Sequence, residues 1–171
     1  MLAEAGLSAA DQVLFVLPRA LPHKNYEGVG FTDRLRMLEA ATRDLPKSSL
    51  AVTSRGLFED IARECREAFG EAVELKFLCG RDAAERAVNW DYGKPGAFLE
   101  MLGGFELLVA PRSGGFEAPP EMRARIHNLP VPSQYEEVSA TQVRNLIARG
   151  QPWRHLVPEP IAGLVEELYR T

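Results

Sequence analysis

Cysteine and histidine are scarce in this sequence, which has two Cys and three His among its 171 residues. Cys65 and Cys79 are too few for a disulfide framework and show no metal-ligand spacing, so we expect a reduced, cytoplasmic setting. The three histidines lie far apart in the chain, which excludes the ligand spacing of a structural zinc site. The sequence therefore predicts no metal site of its own.

Long apolar runs and an excess of positive charge are also absent. No run approaches the roughly 20 residues that span a bilayer, and no charged start followed by an apolar core indicates an export signal. Lys and Arg number 20 against 24 Asp and Glu, which gives a net charge of −4. Because binding of a nucleic-acid backbone needs a basic surface, this balance excludes a general nucleic-acid binder but leaves room for a local anion site.

The composition is that of one globular domain. Hydrophobic residues make up 46% and charged residues 26% of the chain. No internal repeat, low-complexity tract or long linker divides the sequence. We therefore expect residues 1–171 to form a single domain with a full core.

Short apolar runs alternate with amphipathic stretches along the chain. Strands are predicted at 12–17, 50–53, 75–79, 106–110 and 125–129. Helices are predicted at 2–10, from a Thr32 cap onward, and at 57–69, 140–149 and 160–169. This alternation predicts an α/β fold with a doubly wound parallel sheet and helices on both faces. The nearly all-apolar run 12–17 is typical of a strand buried on both faces.

The segment from Val138 to Arg144 carries the strongest local signal. Ser139 followed by Gln142 has the spacing of a helix capping box. Free N–H groups at a helix start, the hydroxyls of Ser139 and Thr141 and the Arg144 guanidinium together suit an anion such as phosphate. The same pattern fits a capped surface helix with a solvated arginine. From this pattern alone the surface helix is favoured, because capping boxes are common.

Two further segments follow predicted strands, where parallel sheets bind their ligands. His23 and Lys24 come after the first strand, although a polar pair on an exposed loop explains them equally well. Gly80 and Asp82 come after the third strand, where an aspartate commonly holds a ribose hydroxyl. Trp90 follows and could stack on a base or a pyridine ring.

The second of these segments also has plain structural interpretations. Asp82 could cap the next helix, and Trp90 could belong to the core. Arg81 and Arg86 could form surface ion pairs with Asp82 and Glu85. Other chemistry has less support, since the chain has no Gly-x-Ser-x-Gly elbow, P-loop or Gly-x-Gly-x-x-Gly motif. Cys79 ends a strand, but a small buried thiol is favoured over a nucleophile.

Taken in order, these pieces resemble the nucleotidyltransferase superfamily, and within it the nicotinate-nucleotide adenylyltransferases most closely. The matching segments are Phe15-Val-Leu-Pro, Pro22-His-Lys24, Asp33-Arg-Leu-Arg-Met-Leu38, Phe77-Leu-Cys-Gly-Arg-Asp82, Leu108-Val-Ala-Pro-Arg112, Val138-Ser-Ala-Thr-Gln-Val-Arg144 and His155-Leu-Val-Pro158. The segment 138–144 is similar to the family's Ile-Ser-Ser-Thr-x-Ile-Arg signature and is the most specific. The resemblance covers nearly the whole chain and implies a Rossmann-like fold.

The resemblance also implies a reaction. A mononucleotide phosphate would attack the α-phosphate of ATP and release pyrophosphate, with Mg²⁺ accompanying the ATP. The implied acceptor is nicotinate mononucleotide or nicotinamide mononucleotide, which makes the reaction a step of NAD biosynthesis. The implied partners are therefore ATP and a mononucleotide acceptor, with no nucleic acid and no membrane, and a homodimer is one option for assembly.

The family's roles can be placed on matching residues. Lys24 and Arg144 are the implied catalytic residues. Lys24, together with His23, would neutralise charge on the reacting phosphates, and Arg144 would hold the phosphates of ATP. The other implied substrate-binding residues are Ser139 and Thr141 for the ATP phosphates, Asp82 for the adenosine ribose with Gly80 close to it in the sequence, Trp90 for the pyridine ring, and Arg112 at a strand end.

The sequence departs from the family pattern at three points. Ala140 replaces the second serine of the signature, and Arg81 stands where a small residue is usual. The family's N-terminal strand and Gly-x-Phe-x-Pro-x-His-x-Gly-His loop have no match, and residues 2–10 correspond to the helix that follows that loop. Loss of this central strand would leave a gap that neighbouring strands or a partner chain must fill.

The unmatched loop leaves two interpretations open. The start of the chain could be set too late, or the chain could be shortened and bind nucleotide without efficient transfer. Loss of the loop histidines would lower the rate by about 10²-fold or more. The alternatives are therefore a catalytically impaired nucleotide-binding module of the same fold, or a relative acting on another acceptor, such as phosphopantetheine, or using CTP.

Overall fold

A computed structural model describes residues 2–21, 28–110, 115–132 and 138–169. The helices are α1 (Leu2–Leu7), α2 (Phe31–Thr42), α3 (Phe58–Phe69), α4 (Arg81–Val88), α5 (Ala97–Met101), α6 (Ala140–Ala148) and α7 (Ala162–Tyr169). The strands are β1 (Val13–Ala20), β2 (Ser48–Arg55), β3 (Lys76–Gly80), β4 (Glu106–Ala110) and β5 (Ile126–Asn128). Single 3₁₀ turns lie at Pro120–Met122, Arg154–Leu156 and Glu159–Ile161. None of the helices within these ranges has the length and apolar character needed to cross a membrane.

The strands form two parallel sheets. In the first sheet β1 pairs with β2, with Phe15 opposite Leu50. In the second sheet the order is β3–β4–β5, with Gly80 opposite Ala110. Helices connect the parallel strands, as a crossover requires: α2 links β1 to β2, and α4 with α5 links β3 to β4. The predicted Rossmann-like α/β class is therefore confirmed.

The predicted strands are all present, and their ends shift by up to three residues. Thr32 is not the cap of α2, because the helix begins at Phe31 and Gly30 is at the N-cap position without a side-chain cap bond. The predicted helix 2–10 ends at Leu7. Helices α4 and α5 were not predicted as elements, since they have eight and five residues and no side-chain cap.

The burial predicted for the first strand is wrong. Residues 13–18 of β1 are only half buried, although the apolar run is typical of a strand covered on both faces. Within the described ranges β1 pairs with β2 alone. The strand that is buried in this way is β4, where Leu107 and Val109 have no exposed surface. β4 also differs from β1 in its pairing, since it has a partner strand on each of its two edges.

The chain divides into two compact units. The first unit consists of Met1–Asp11 and Leu57–Glu137, and the second consists of Gln12–Gly56 and Val138–Thr171. The first unit therefore contains β3, β4 and β5, and the second contains β1, β2 and α6. The single domain expected from composition stays a prediction.

The two units have separate cores. In the first unit the Phe105 ring packs against Phe77 at 4.8 Å and against Phe58 at 6.1 Å between ring centroids. Leu102 is fully buried beside them. In the second unit Val143 of α6 is buried together with Trp153 and Val165, which fixes α6 against α7.

Candidate functional site

The residues predicted for the site fall into three groups. His23, Lys24 and Arg112 lie outside the described residues, so their predicted roles stay predictions. Gly80, Asp82 and Trp90 lie in the first unit, and Ser139, Thr141 and Arg144 lie in the second. In the second unit the structure brings Ser139, Thr141 and Arg144 together at the start of α6. In the first unit Gly80 and Asp82 lie at the start of α4, and Trp90 lines a cavity that neither of them lines. Each group is described by itself.

The start of α6 is capped by Ser139. Its backbone is extended, with φ −140° and ψ 151°, and its hydroxyl accepts a hydrogen bond from the Gln142 N–H at 3.1 Å. This forms one half of the predicted capping box. The other half is missing, because the Gln142 side-chain oxygen is buried and has no hydrogen-bond partner among the described residues. The cap satisfies the Gln142 amide, and the amides of Ala140 and Thr141 have no acceptor inside the helix.

Arg144 adds a positive charge near the start of α6. Its Nη2 donates to the Thr141 hydroxyl oxygen at 3.2 Å, and both side chains are exposed. The first turn of α6 contains no acidic residue. The positive end of the helix dipole and the guanidinium charge are therefore not neutralised by the helix itself. The amides of Ala140 and Thr141, the Thr141 hydroxyl and the Arg144 guanidinium form an arrangement that can bind an anion.

Gly80 lies where β3 ends and α4 begins. Its φ of −80° is accessible to any residue, and a Cβ at this position would meet no heavy atom of the described residues within 4 Å. Neither backbone strain nor packing inside the described structure therefore requires glycine here. An open space beside a glycine at the carboxyl end of a parallel strand suits the close approach of a ligand.

Asp82 lies in the first turn of α4 and its side chain is exposed. The interpretation of Asp82 as the helix cap is wrong, because Gly80 is at the N-cap position without a side-chain cap bond. Of the predicted surface pairs, Arg81 with Glu85 is formed, at 2.7 Å between Nε and Oε1. The hydrogen bond to Glu85 raises the pKa of Arg81. The Asp82 carboxylate makes no ion pair within the described ranges.

Trp90 lines a cavity of about 360 Å³ in the first unit. The walls are formed by Val88, residues 90–98 and Met122. Trp90 is half buried and lies outside the buried core, so the interpretation of Trp90 as a core residue is wrong. An indole beside a cavity of this size can stack on a flat ring.

Two glycines and a stacked ring pair shape the cavity. Gly93 and Gly96 have φ of 77° and 75°, a left-handed conformation that favours glycine. The Tyr92 ring stacks on Phe98 at 5.7 Å, and its hydroxyl donates to the Ala87 carbonyl at 3.1 Å. Burial, and secondarily the charge of Glu59, raises the pKa of Tyr92, which keeps this hydroxyl protonated as a donor.

Of the residues that line this cavity, sequence reasoning assigned a role to Trp90 alone and missed the others, including Tyr92, Lys94 and Met122. The tetrapeptide Gly-Lys-Pro-Gly at 93–96 is a turn signal and could have indicated the loop. Lys94 forms an exposed ion pair with both carboxylate oxygens of Glu100, at 2.8 and 2.9 Å. No local pattern marks Met122, which is distant in the sequence.

Cys79 is the next-to-last residue of β3 and directly precedes Gly80. Burial raises the pKa of its thiol to about 12. The thiol therefore stays protonated at neutral pH, and the nucleophile is the thiolate. The Cys79 side chain is half buried and packs against the core of the first unit, which favours a packing role over a nucleophile.

Comparison with known proteins decides the family. A protein of Exiguobacterium sibiricum named "Probable nicotinate-nucleotide adenylyltransferase" is 30% identical over 168 residues, which cover 94% of this chain and 84% of that protein. The chain belongs to the nicotinate-nucleotide adenylyltransferase family. Proteins of the same name from Pseudomonas putida and Treponema pallidum are 31% and 28% identical, over 97% and 94% of this chain and 84% and 85% of their own lengths. No family model matches the chain.

The family assignment bears on two of the segments described above, the start of α6 and the start of α4. The segment of this chain that resembles the family signature, 138–144, is the start of α6. The segment that resembles the family's Gly-x-Asp strand end, 77–82, is the end of β3 and the first turn of α4. Both of these segments therefore coincide with helix starts.

Proposed function

We propose that this chain transfers the adenylyl group of ATP to nicotinate mononucleotide. A phosphate oxygen of the acceptor attacks the α-phosphorus of ATP, the bond between the α-phosphorus and the bridging oxygen to the β-phosphate breaks, and pyrophosphate leaves. The observation that carries the proposal is the cationic start of α6, found in the segment that resembles the family's signature. Reactions of this kind depend on positioning and on charge stabilisation, which such groups provide.

We assign the triphosphate of ATP to the start of α6. The amides of Ala140 and Thr141 and the Thr141 hydroxyl donate hydrogen bonds to its oxygens, and Arg144 adds charge-assisted bonds. The bond between Arg144 and Thr141 holds the guanidinium over the first turn, so little side-chain freedom is lost when the anion binds. Lys24, His23 and Arg112 keep their expected roles toward the substrates.

We assign the adenosine ribose to Asp82. The exposed carboxylate makes no ion pair with the described residues, so its oxygens are available to accept hydrogen bonds from ribose hydroxyls. The open space beside Gly80 lets the nucleotide approach the backbone. An aspartate after a parallel strand holds ribose hydroxyls in other doubly wound folds.

We assign the pyridine ring of the acceptor to the cavity beside Trp90. Its volume of about 360 Å³ lies at the lower end of the roughly 300–1,000 Å³ of ligand pockets, which suits one ring better than a whole nucleotide. Aromatic side chains bind flat rings by stacking.

Mg²⁺ enters this proposal with ATP. Among the described residues no group of three or more His, Cys, Asp or Glu side chains is placed to hold a metal ion. Mg²⁺ is commonly held by substrate phosphates and water with one or two carboxylates. When bound, the ion neutralises part of the phosphate charge.

The proposal is tested by incubating the purified chain with Mg²⁺, ATP and nicotinate mononucleotide. We expect pyrophosphate release and a dinucleotide product detectable by mass spectrometry. Parallel reactions with nicotinamide mononucleotide, with phosphopantetheine, and with CTP in place of ATP identify a relative of different specificity. Binding of ATP without turnover would support a nucleotide-binding module instead, and failure to bind any nucleotide would contradict both functions.

Replacement of Gly80 by alanine separates ligand binding from folding. We expect a loss of stability of at most about 1 kcal/mol, because glycine is a modestly better N-cap residue than alanine and the methyl group meets no neighbour. ATP binding is expected to weaken, because the methyl group occupies the space assigned to the nucleotide. Calorimetry measures both quantities. Gly163→Ala is the control, since its Cβ also meets nothing within 4 Å and we expect its ATP affinity to equal that of the wild type.

A further inference from the structure

One wall of the cavity beside Trp90 comes from a different part of the chain. Among the described residues that line the cavity, all lie between Val88 and Phe98 except Met122. Met122 belongs to the connection between β4 and β5 and is 9% exposed. It packs in the core of the first unit and also faces the cavity. Its side chain is therefore placed to contact whatever fills the cavity.

The position of Met122 is set by its own backbone. Its N–H donates to the Pro119 carbonyl at 2.9 Å, and its carbonyl accepts from the Arg125 N–H at 2.9 Å. Nε of Arg123, the next residue, donates to the Ala118 carbonyl at 3.2 Å. The turn that carries Met122 is therefore fixed on both sides.

The connection is also held at its start, by Asn128 of β5. The Asn128 side-chain oxygen accepts from the Phe116 N–H at 3.0 Å, and its side-chain nitrogen donates to the Phe116 carbonyl at 2.9 Å. Phe116 is itself buried in the core of the first unit. The wall that Met122 contributes is therefore formed before any ligand enters, and a formed wall binds with little loss of entropy.

We propose that Met122 contacts the acceptor ring and helps to determine which ring the cavity accepts. The inference rests on the proposed function, in which the acceptor's pyridine ring occupies this cavity. A thioether is polarizable and packs well against aromatic ring edges, which suits it to a cavity that also holds an indole. A shorter side chain would leave a gap beside the ring, and the ring would lose contacts on that side.

The test compares Met122→Ala and Met122→Leu with Met101→Ala. Met101 is the matched control, because it packs against the same core but lines a different cavity of the first unit. We expect Met122→Ala to raise KM for nicotinate mononucleotide up to about tenfold, which corresponds to the strength of a thioether–aromatic contact. KM for ATP should stay within about twofold, and Met101→Ala should change neither KM by more than about twofold.

A binding measurement accompanies the kinetics. Nicotinate mononucleotide is titrated without ATP, and tryptophan fluorescence reports its Kd for each variant. We expect Kd to rise in Met122→Ala in proportion to KM. Met122→Leu keeps the side-chain volume and lacks the sulfur, so its Kd should lie between those of the wild type and the alanine variant. If the alanine variant does not fold, the Kd of Met122→Leu is compared with that of the wild type and should still be raised.

Five outcomes are decisive. An unchanged KM and Kd for the acceptor in a folded Met122 variant overturn the inference. An equal rise in both KM values, or the same rise in Met101→Ala, also overturns it, since either result indicates damage to the core. A wild-type chain that binds the acceptor but makes no dinucleotide contradicts the proposed function and leaves the role of Met122 open to test. The ratio of the acceptor Kd in the Met122 variant to that in the wild type then decides whether Met122 contacts the ring. A wild-type chain that binds no acceptor overturns both.

Discussion

Arg144→Ala is expected to lower the rate of pyrophosphate release by at least about 10²-fold, the effect of removing one donor to developing charge in other enzymes. Arg144 is exposed, and its one described side-chain bond goes to the Thr141 hydroxyl at 3.2 Å. The guanidinium therefore contributes little to the stability of the fold, and the free energy of unfolding of the variant should lie within about 0.5 kcal/mol of the wild-type value. A steady-state assay of pyrophosphate, together with a urea titration, measures both effects.

The control for this prediction is Arg149→Ala. Arg149 lies at the other end of the same helix, where it is also exposed. The two variants remove the same charge from one helix, so a difference between them reports position and not net charge. Equal activity of both variants, or loss of stability without loss of activity in Arg144→Ala, would show that Arg144 does not act on the phosphates.

Phe105→Ala is expected to lower the free energy of unfolding by about 3–5 kcal/mol. The Phe105 ring is 3% exposed and contacts the rings of Phe58, Phe77 and Phe98, with centroids 6.1, 4.8 and 6.4 Å away. Alanine removes the ring and leaves a cavity among three aromatic neighbours that cannot collapse fully. A denaturant titration measures the loss.

Phe69→Ala serves as the control for Phe105→Ala. Phe69 ends α3 in the same unit and is 60% exposed. Its replacement should change the free energy of unfolding by no more than about 0.5 kcal/mol. A loss for Phe105→Ala no larger than that of Phe69→Ala would contradict the aromatic core as the main source of stability in this unit.

The pattern of apolar residues predicted the strands well because a parallel strand is a continuous apolar run. β4 follows its predicted bounds of 106–110 in full. An apolar run predicts that a strand exists but does not show what covers its faces. The burial of β1 was therefore predicted wrongly, since β1 is only half buried. No bounds were predicted for the short helices α4 and α5. A helix after β3 was considered only as the one that Asp82 could cap, and neither α4 nor α5 has a side-chain cap.

The part of the candidate site that could be predicted is the part whose residues lie in one short segment of the sequence. Ser139, Thr141 and Arg144 lie within six consecutive residues at the start of α6, so spacing alone brought them together. The cavity beside Trp90 depends on contacts between distant residues. Met122 reaches it through the path of the β4–β5 connection, and no periodicity in the sequence encodes that path.

The central claim is that the start of α6 holds the triphosphate of ATP. Nuclear magnetic resonance of the ¹⁵N-labelled chain tests this claim directly, because the amides of Ala140 and Thr141 have no acceptor inside the helix. On titration with Mg²⁺ and ATP we expect these two amide resonances to shift and saturate with one Kd, while that of Phe105 in the aromatic core stays in place. Saturable binding of ATP that leaves the amides of Ala140 and Thr141 unmoved would contradict the claim.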